Sequence, residues 1–150
     1  MTKVLFDINV LLDVLLDREA HAEASAAAWA SAEGGVSEGL LAAHAVTTID
    51  YLISKELGAA KARRIVSAML RVFGVAAIDA AVIQEALHLP FGDFEDAVTA
   101  AAARLAGCDY IVTRDPKGFR GSPVRCLTPE ALMPILSIKG RQSFPPKGRP

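Results

Sequence analysis

Cysteine, aromatic residues and net charge are all scarce in this chain of 150 residues. The two cysteines, Cys108 and Cys126, stand in neither a Cys-x-x-Cys nor a Cys/His spacing. Neither a disulfide scaffold nor a thiolate zinc site is therefore written into the sequence, and both thiols read as small core hydrophobes in a reducing compartment. Aromatic residues make up 6%, which leaves the core to aliphatic side chains and alanine. The formal net charge is −1, so no global field draws the chain to a polyanion, and any such partner needs a local basic patch. No apolar run approaches the roughly 18 residues of a membrane helix. The apolar stretch after Lys3 is broken by Asp7, Asp13 and Asp17, with no secretory cleavage site behind it. The expectation is a cytoplasmic protein with no membrane partner. What is abundant is apolar surface: 52% hydrophobic against 22% charged residues excludes a disordered or low-complexity polymer. The length suits one domain that folds without staples.

Strand-like and helix-like periods alternate along the chain. Lys3–Phe6, Leu40–Ala43, Val75–Ile78, Asp109–Thr113 and Val124–Leu127 read as short buried strands. Between them fall helical patterns: Val10–Leu16, an alanine-rich Glu19–Glu33 closed by Gly34-Gly35, Ala45 to Gly58, Ala59–Val72, Ala80–Leu89, Asp93–Ala106 and Pro129–Leu136. Asp13 and Asp17, four apart, read as one solvated stripe. This alternation predicts an α/β fold, three layers α/β/α, around a mostly parallel sheet of four to five strands. The domain is expected over residues 1–136, and residues 137–150 (SIKGRQSFPPKGRP), basic and proline-bearing, read as a disordered tail.

Ligands of open α/β sheets bind outside the carboxyl ends of the strands. Asp7 directly follows the first strand, Asp115 lies two positions past DYIVT, and Asp93 and Asp96 open a long helix. If these carboxylates converge, their repulsion calls for a divalent cation, and hard oxygen donors without thiolate or histidine clusters select Mg²⁺ or Mn²⁺. Such an ion polarises a phosphoryl oxygen and acidifies water. Each residue also has a plainer reading. Asp93 with Asp96 is an N-cap with a first-turn acid, and Asp115-Pro116 is a turn. Asp7 resists that treatment, because a carboxylate directly after a buried run carries a desolvation cost.

LFDINVLLDVLLDR near the start, DFEDAVTAAAA at Asp93–Ala103 and DYIVTRDPKGF at Asp109–Phe119 resemble the three signature segments of PIN domains, especially bacterial PIN proteins related to VapC toxins. The resemblance covers nearly all of residues 1–136. It implies an α/β/α domain that cuts RNA with Mg²⁺ or Mn²⁺, the toxin of a toxin–antitoxin pair. Carried over residue by residue, it makes Asp7, Asp96 and Asp115 metal ligands, with Asp93 a further catalytic acid. Asn9 and Thr113 then hold ligands or water from behind. The resemblance further implies a homodimer, to which Ala24–Ala32 and Ala59–Leu70 offer apolar faces, and a cognate antitoxin. One departure stands out. Where most VapC-type domains carry a glutamate at the start of the helix after the second strand, this chain reads HAVTTIDY from His44 to Tyr51. Thr48 matches a small polar alternative, while Asp50 lies about 200° from it around a helix and reaches the site only if that helix is rotated.

A site rich in acids repels RNA, so cations must guide the backbone. Arg114, beside Asp115, is the candidate, with pairing to a carboxylate as its alternative; Arg18 follows the first loop, and Lys117, Arg120 and Arg125 read as solvated surface. His44 reads as a surface or capping residue rather than a cleft residue. Trp29 and Tyr51 read as core anchors rather than stacking platforms. Two competing functions remain. An aspartyl-phosphate enzyme would need a second aspartate where Asn9 stands. A PIN scaffold that binds RNA or a partner protein without cutting is favoured by the missing glutamate.

Overall fold

A computed structural model describes residues 1–143, with side chains described as far as Ile138. Five short strands carry the apolar runs: β1 (Lys3–Phe6), β2 (Glu38–Ala42), β3 (Gly74–Ala76), β4 (Tyr110–Val112) and β5 (Arg125–Leu127). They form one sheet in the order β3-β2-β1-β4-β5. Every pairing is parallel; Leu5 stands opposite Leu40 on one side and Ile111 on the other. The helices are α1 (Ile8–Leu15), α2 (Ala22–Glu33), α3 (Ala43–Leu57), α4 (Ala59–Met69), α5 (Ala80–Leu87), α6 (Phe94–Leu105) and α7 (Pro129–Ser143). The architecture is the expected three-layer α/β/α, with the sheet wholly parallel.

The period-two pleat sorts the core into two layers. Val4, Phe6 and Val112 join α1, α2, α3, α4 and α7 on one face, and Leu5, Ile111 and Ala42 join α5 and α6 on the other. In the first layer Phe73 meets Phe6 and Trp29 edge-on, with ring centroids 4.9 and 5.0 Å apart, so the few aromatic rings are spent together. In the second, seven consecutive residues of α6, Ala97–Ala103, are all buried. A helix enclosed on every side needs small side chains, and here alanine supplies them.

Three expectations change. Tyr51 is 60% exposed, with the Lys55 ammonium 4.8 Å from its ring centre. It lies two positions from Ile49, about 200° round the helix from the buried stripe, so it points away from the core that Trp29 joins. Asp13, expected in a solvated stripe, is fully buried. α1 ends before Asp17, which takes a left-handed φ of 48°, so the two aspartates never share a helical face. The last helix, with Pro134 inside it, continues past Leu136 to Ser143; the rest of the expected tail, residues 144–150, lies outside the described residues. Among the described residues no helix is long and apolar enough to cross a membrane.

The chain leaves β1 toward β2 and β3 on one side, then returns through α5 and α6 to β4 on the other. Strand order reverses between β1 and β4, which opens a crevice at their carboxyl ends.

Candidate active site

Asp7 leaves β1 at that crevice and caps α1. Its Oδ1 accepts from the Ile8 N–H at 2.9 Å and its Oδ2 from the Thr113 hydroxyl at 2.8 Å. Its backbone N–H donates to Val112 of β4. The Thr113 hydroxyl in turn accepts the Asp115 N–H at 3.1 Å. One buried hydroxyl thus ties the acid after β1 to the acid after β4. Asn9, one residue into α1 from Ile8, accepts the Arg114 N–H at 3.3 Å and pins the same loop from below.

α6 brings the other acids. Asp93 caps it by accepting the Asp96 N–H at 3.0 Å, so the plainer N-cap reading holds for Asp93 without removing it from the site. Asp96 faces the crevice. Burial and then the charges of Asp93, Asp7, Asp115 and Glu95 push its carboxyl up to about 6. Asp7 is likewise raised, chiefly by burial and further by Asp115, against the lowering effect of the Thr113 and Ile8 hydrogen bonds and of His44. Asp115 caps a 3-10 turn at Pro116–Phe119 through the Gly118 N–H. A Cβ on Gly118 would stand 2.7 Å from Asp115 Oδ2 and 3.8 Å from Asp96 Oδ2. The missing side chain is what leaves space between those two carboxylates. Three segments distant in sequence therefore direct acids into one field.

Beside Asp7 and Asp96 lies an open cleft of about 30 Å³, lined also by Glu95, Thr48, Thr99 and His44 and not by Asp115. That is room for a water or two, or an ion. Among the described residues no three His, Cys, Asp or Glu side chains are gathered closely enough to hold a metal ion as they stand.

A family model described as a PIN domain matches residues 3–117. The chain belongs to the PIN domain family. Its fold is also that of solved structures of low identity. FitAcB from Neisseria gonorrhoeae is 21% identical, with a TM-score of 0.68 over 85% of this chain and 98% of that one. DNA-bound VapBC from Salmonella typhimurium is 16% identical, with a TM-score of 0.68 over 86% and 99%. VapC20 from Mycobacterium tuberculosis, described as a sarcin–ricin loop cleaving toxin, is 17% identical, with a TM-score of 0.58 over 72% and 86%. No curated protein matches the sequence.

Within the PIN domain, Thr48 lines the cleft, where its hydroxyl donates to the His44 carbonyl at 3.3 Å. Asp50 turns to α4 and takes the Arg63 guanidinium at 3.0 and 3.2 Å, so it is not brought to the other acids. The Arg114 side chain pairs with Asp13, Nε to Oδ2 at 2.8 Å. Lys117, Arg120 and Arg125 are exposed, and Cys108 and Cys126 are free and half-buried in the α5/α6 layer. Burial raises both thiols, Cys108 to about 11, which keeps them inert.

Four contributors were missed from sequence. His44 sits in the cleft wall rather than serving only at the surface. The Thr99 hydroxyl donates to the Glu95 carbonyl at 3.0 Å and lies 3.4 Å from His44 Nε2. Glu95 and Thr99 lie four apart on α6, with Thr99 three past Asp96; that spacing was a readable signal. Gly118 carried none, because its role is a side chain it lacks.

Proposed function

We propose that this PIN domain is a ribonuclease that hydrolyses RNA phosphodiester bonds with Mg²⁺ or Mn²⁺, the toxin of a toxin–antitoxin pair. The observation that carries the reading is that Asp7, Asp96 and Asp115 are directed toward the β1/β4 crevice, where burial and then the charges of Asp93, Asp7, Asp115 and Glu95 push the Asp96 carboxyl up to about 6. Unneutralised, such a cluster is costly; a cation relieves it. The donor set fits: carboxylate oxygens only, no thiolate, and a gap kept open at Gly118. Asp7, Asp96 and Asp115 would hold the cation, which when bound offsets phosphoryl charge and makes water more acidic.

The chain's own groups do the remainder. The Thr113 hydroxyl and Ile8 N–H fix the Asp7 carboxylate, so no reorganisation is needed at the moment of reaction. Asp96, or Asp93 at the rim, accepts the proton of a water attacking phosphorus in line with the departing 3′ oxygen. Asn9 keeps the Arg114-Asp115 segment in place. A homodimer, a cytoplasmic location and a cognate antitoxin belong to the same reading, in keeping with toxin–antitoxin complexes among the structural neighbours.

Incubating the purified protein with labelled RNA tests this. Cleavage is expected with Mg²⁺ or Mn²⁺, none with EDTA, and a loss of at least about a hundredfold in Asp7→Asn and Asp96→Asn. Equal cutting by the variants would reject it. A second reading, a PIN scaffold that binds RNA or a partner protein without cutting, is favoured by one observation: the α3 side of the cleft wall carries Thr48 and no carboxylate.

A further inference from the structure

Asp13 is the most deeply buried charge in the described structure, at 0% exposure, and the proposed chemistry does not use it. Its Oδ2 accepts the Ser25 hydroxyl at 3.1 Å and meets Arg114 Nε at 2.8 Å, and its Oδ1 faces the Arg18 guanidinium at 3.7 Å. One buried negative charge thus gathers two arginines whose side chains stay 40% (Arg18) and 28% (Arg114) exposed. The group carries a net positive charge.

Its place matters. Asp13 lies one helical turn beyond Asn9 on α1, and Asn9 accepts the backbone N–H of Arg114 itself, the residue next to Asp115. The Arg114 backbone is therefore held beside Asp115, and both guanidiniums meet on Asp13 of the same helix. The cleft wall is formed by Asp7, by Ile8 of α1 and by residues of β1, β2, α3 and α6, and by neither arginine. Arg114 pairs with Asp13 Oδ2, whereas Arg18 faces the buried Oδ1 only at 3.7 Å and is set farther out and more exposed, which leaves its guanidinium open to a further partner. Guanidinium forks with free N–H donors match phosphate oxygens.

We infer that Asp13 positions Arg18 and Arg114 as a binding site for backbone phosphates of single-stranded RNA flanking the scissile bond. The inference rests on the ribonuclease reading and adds where the substrate is held. Arg18 and Arg114 contact the substrate, and Asp13 is a positioning residue. The site offsets the repulsion that the carboxylates impose on an incoming strand.

Binding of a fluorescein-labelled RNA oligonucleotide, measured by anisotropy in Mg²⁺ across a salt series, tests this in the cutting-deficient Asp7→Asn background. Arg18→Gln and Arg114→Gln are each expected to weaken binding roughly five- to tenfold, and to flatten the plot of log affinity against log salt by about 0.7 per lost phosphate contact. Arg18→Gln is expected to do so with the melting temperature unchanged, which a merely structural role would not produce. Arg18→Lys is expected to restore the salt slope. Binding undiminished in both glutamine variants would overturn the inference alone. Failure of the unsubstituted protein, assayed in Ca²⁺ in place of Mg²⁺, to bind RNA at all would overturn it together with the ribonuclease reading.

Discussion

At the residue scale, Asp96 shows how a site stores cost. Its folded pKa, about 6, lies above the ordinary 3.8, so ionisation is disfavoured in the folded state. The stability this group contributes is complete below the ordinary value and is lost as pH rises through about 6. Asp96→Asn is therefore expected to raise the metal-free melting temperature above pH 6, by the equivalent of about 1 kcal/mol after discounting for partial exposure. The difference should shrink toward pH 4. Mn²⁺ should reverse the order, because the ion stabilises only the protein that binds it. A thermal-shift series in EDTA and in Mn²⁺, read against pH, checks both signs. Asp13 is the opposite case, a buried carboxylate already partnered. Asp13→Ala is expected to cost about 3 kcal/mol, measured by urea unfolding, since it strands Ser25 and two guanidiniums. A loss below about 1 kcal/mol would contradict the burial argument.

At the scale of elements, α6 joins packing to chemistry. Its alanine run lets it lie enclosed between the sheet and α5, and that depth carries Asp93 and Asp96 to the strand ends. Ala101→Leu is expected to destabilise by about 1–3 kcal/mol through overpacking. Tyr51→Ala, on the outer face of α3, is expected to stay within about 0.5 kcal/mol. Melting curves of the pair distinguish these outcomes. This scale was also the most legible in the sequence. β1 coincides with its apolar run, Gly58 separates α3 from α4, and Asp93 caps α6 as its position suggested. Asp13 was misread because spacing alone joined it to Asp17. Its partners are Arg18, Ser25 and Arg114; the last is about a hundred positions away, and no local period encodes so distant a contact. Tyr51 departs from the expected core position because two positions from the buried Ile49 is about 200° round the helix. The carboxylates of the site were legible as strand-end and helix-start acids, whereas His44 and Gly118 were not.

At the scale of the whole molecule, the order β3-β2-β1-β4-β5 does the assembling. Reversal between β1 and β4 puts Asp7 and Thr113 side by side, although more than a hundred residues separate them, and α6 closes the third side. Gly118→Ala probes this assembly without removing a charge. Its Cβ would crowd Asp115, so Mn²⁺ affinity should fall about tenfold while the fold persists, as isothermal titration would show. The most direct measurement is a crystal soaked in Mn²⁺ with anomalous data collected at the manganese edge. An anomalous peak bridging the carboxylates of Asp7, Asp96 and Asp115 is the expected result. Fully occupied manganese elsewhere, with no peak at that crevice, would contradict the assignment of the site.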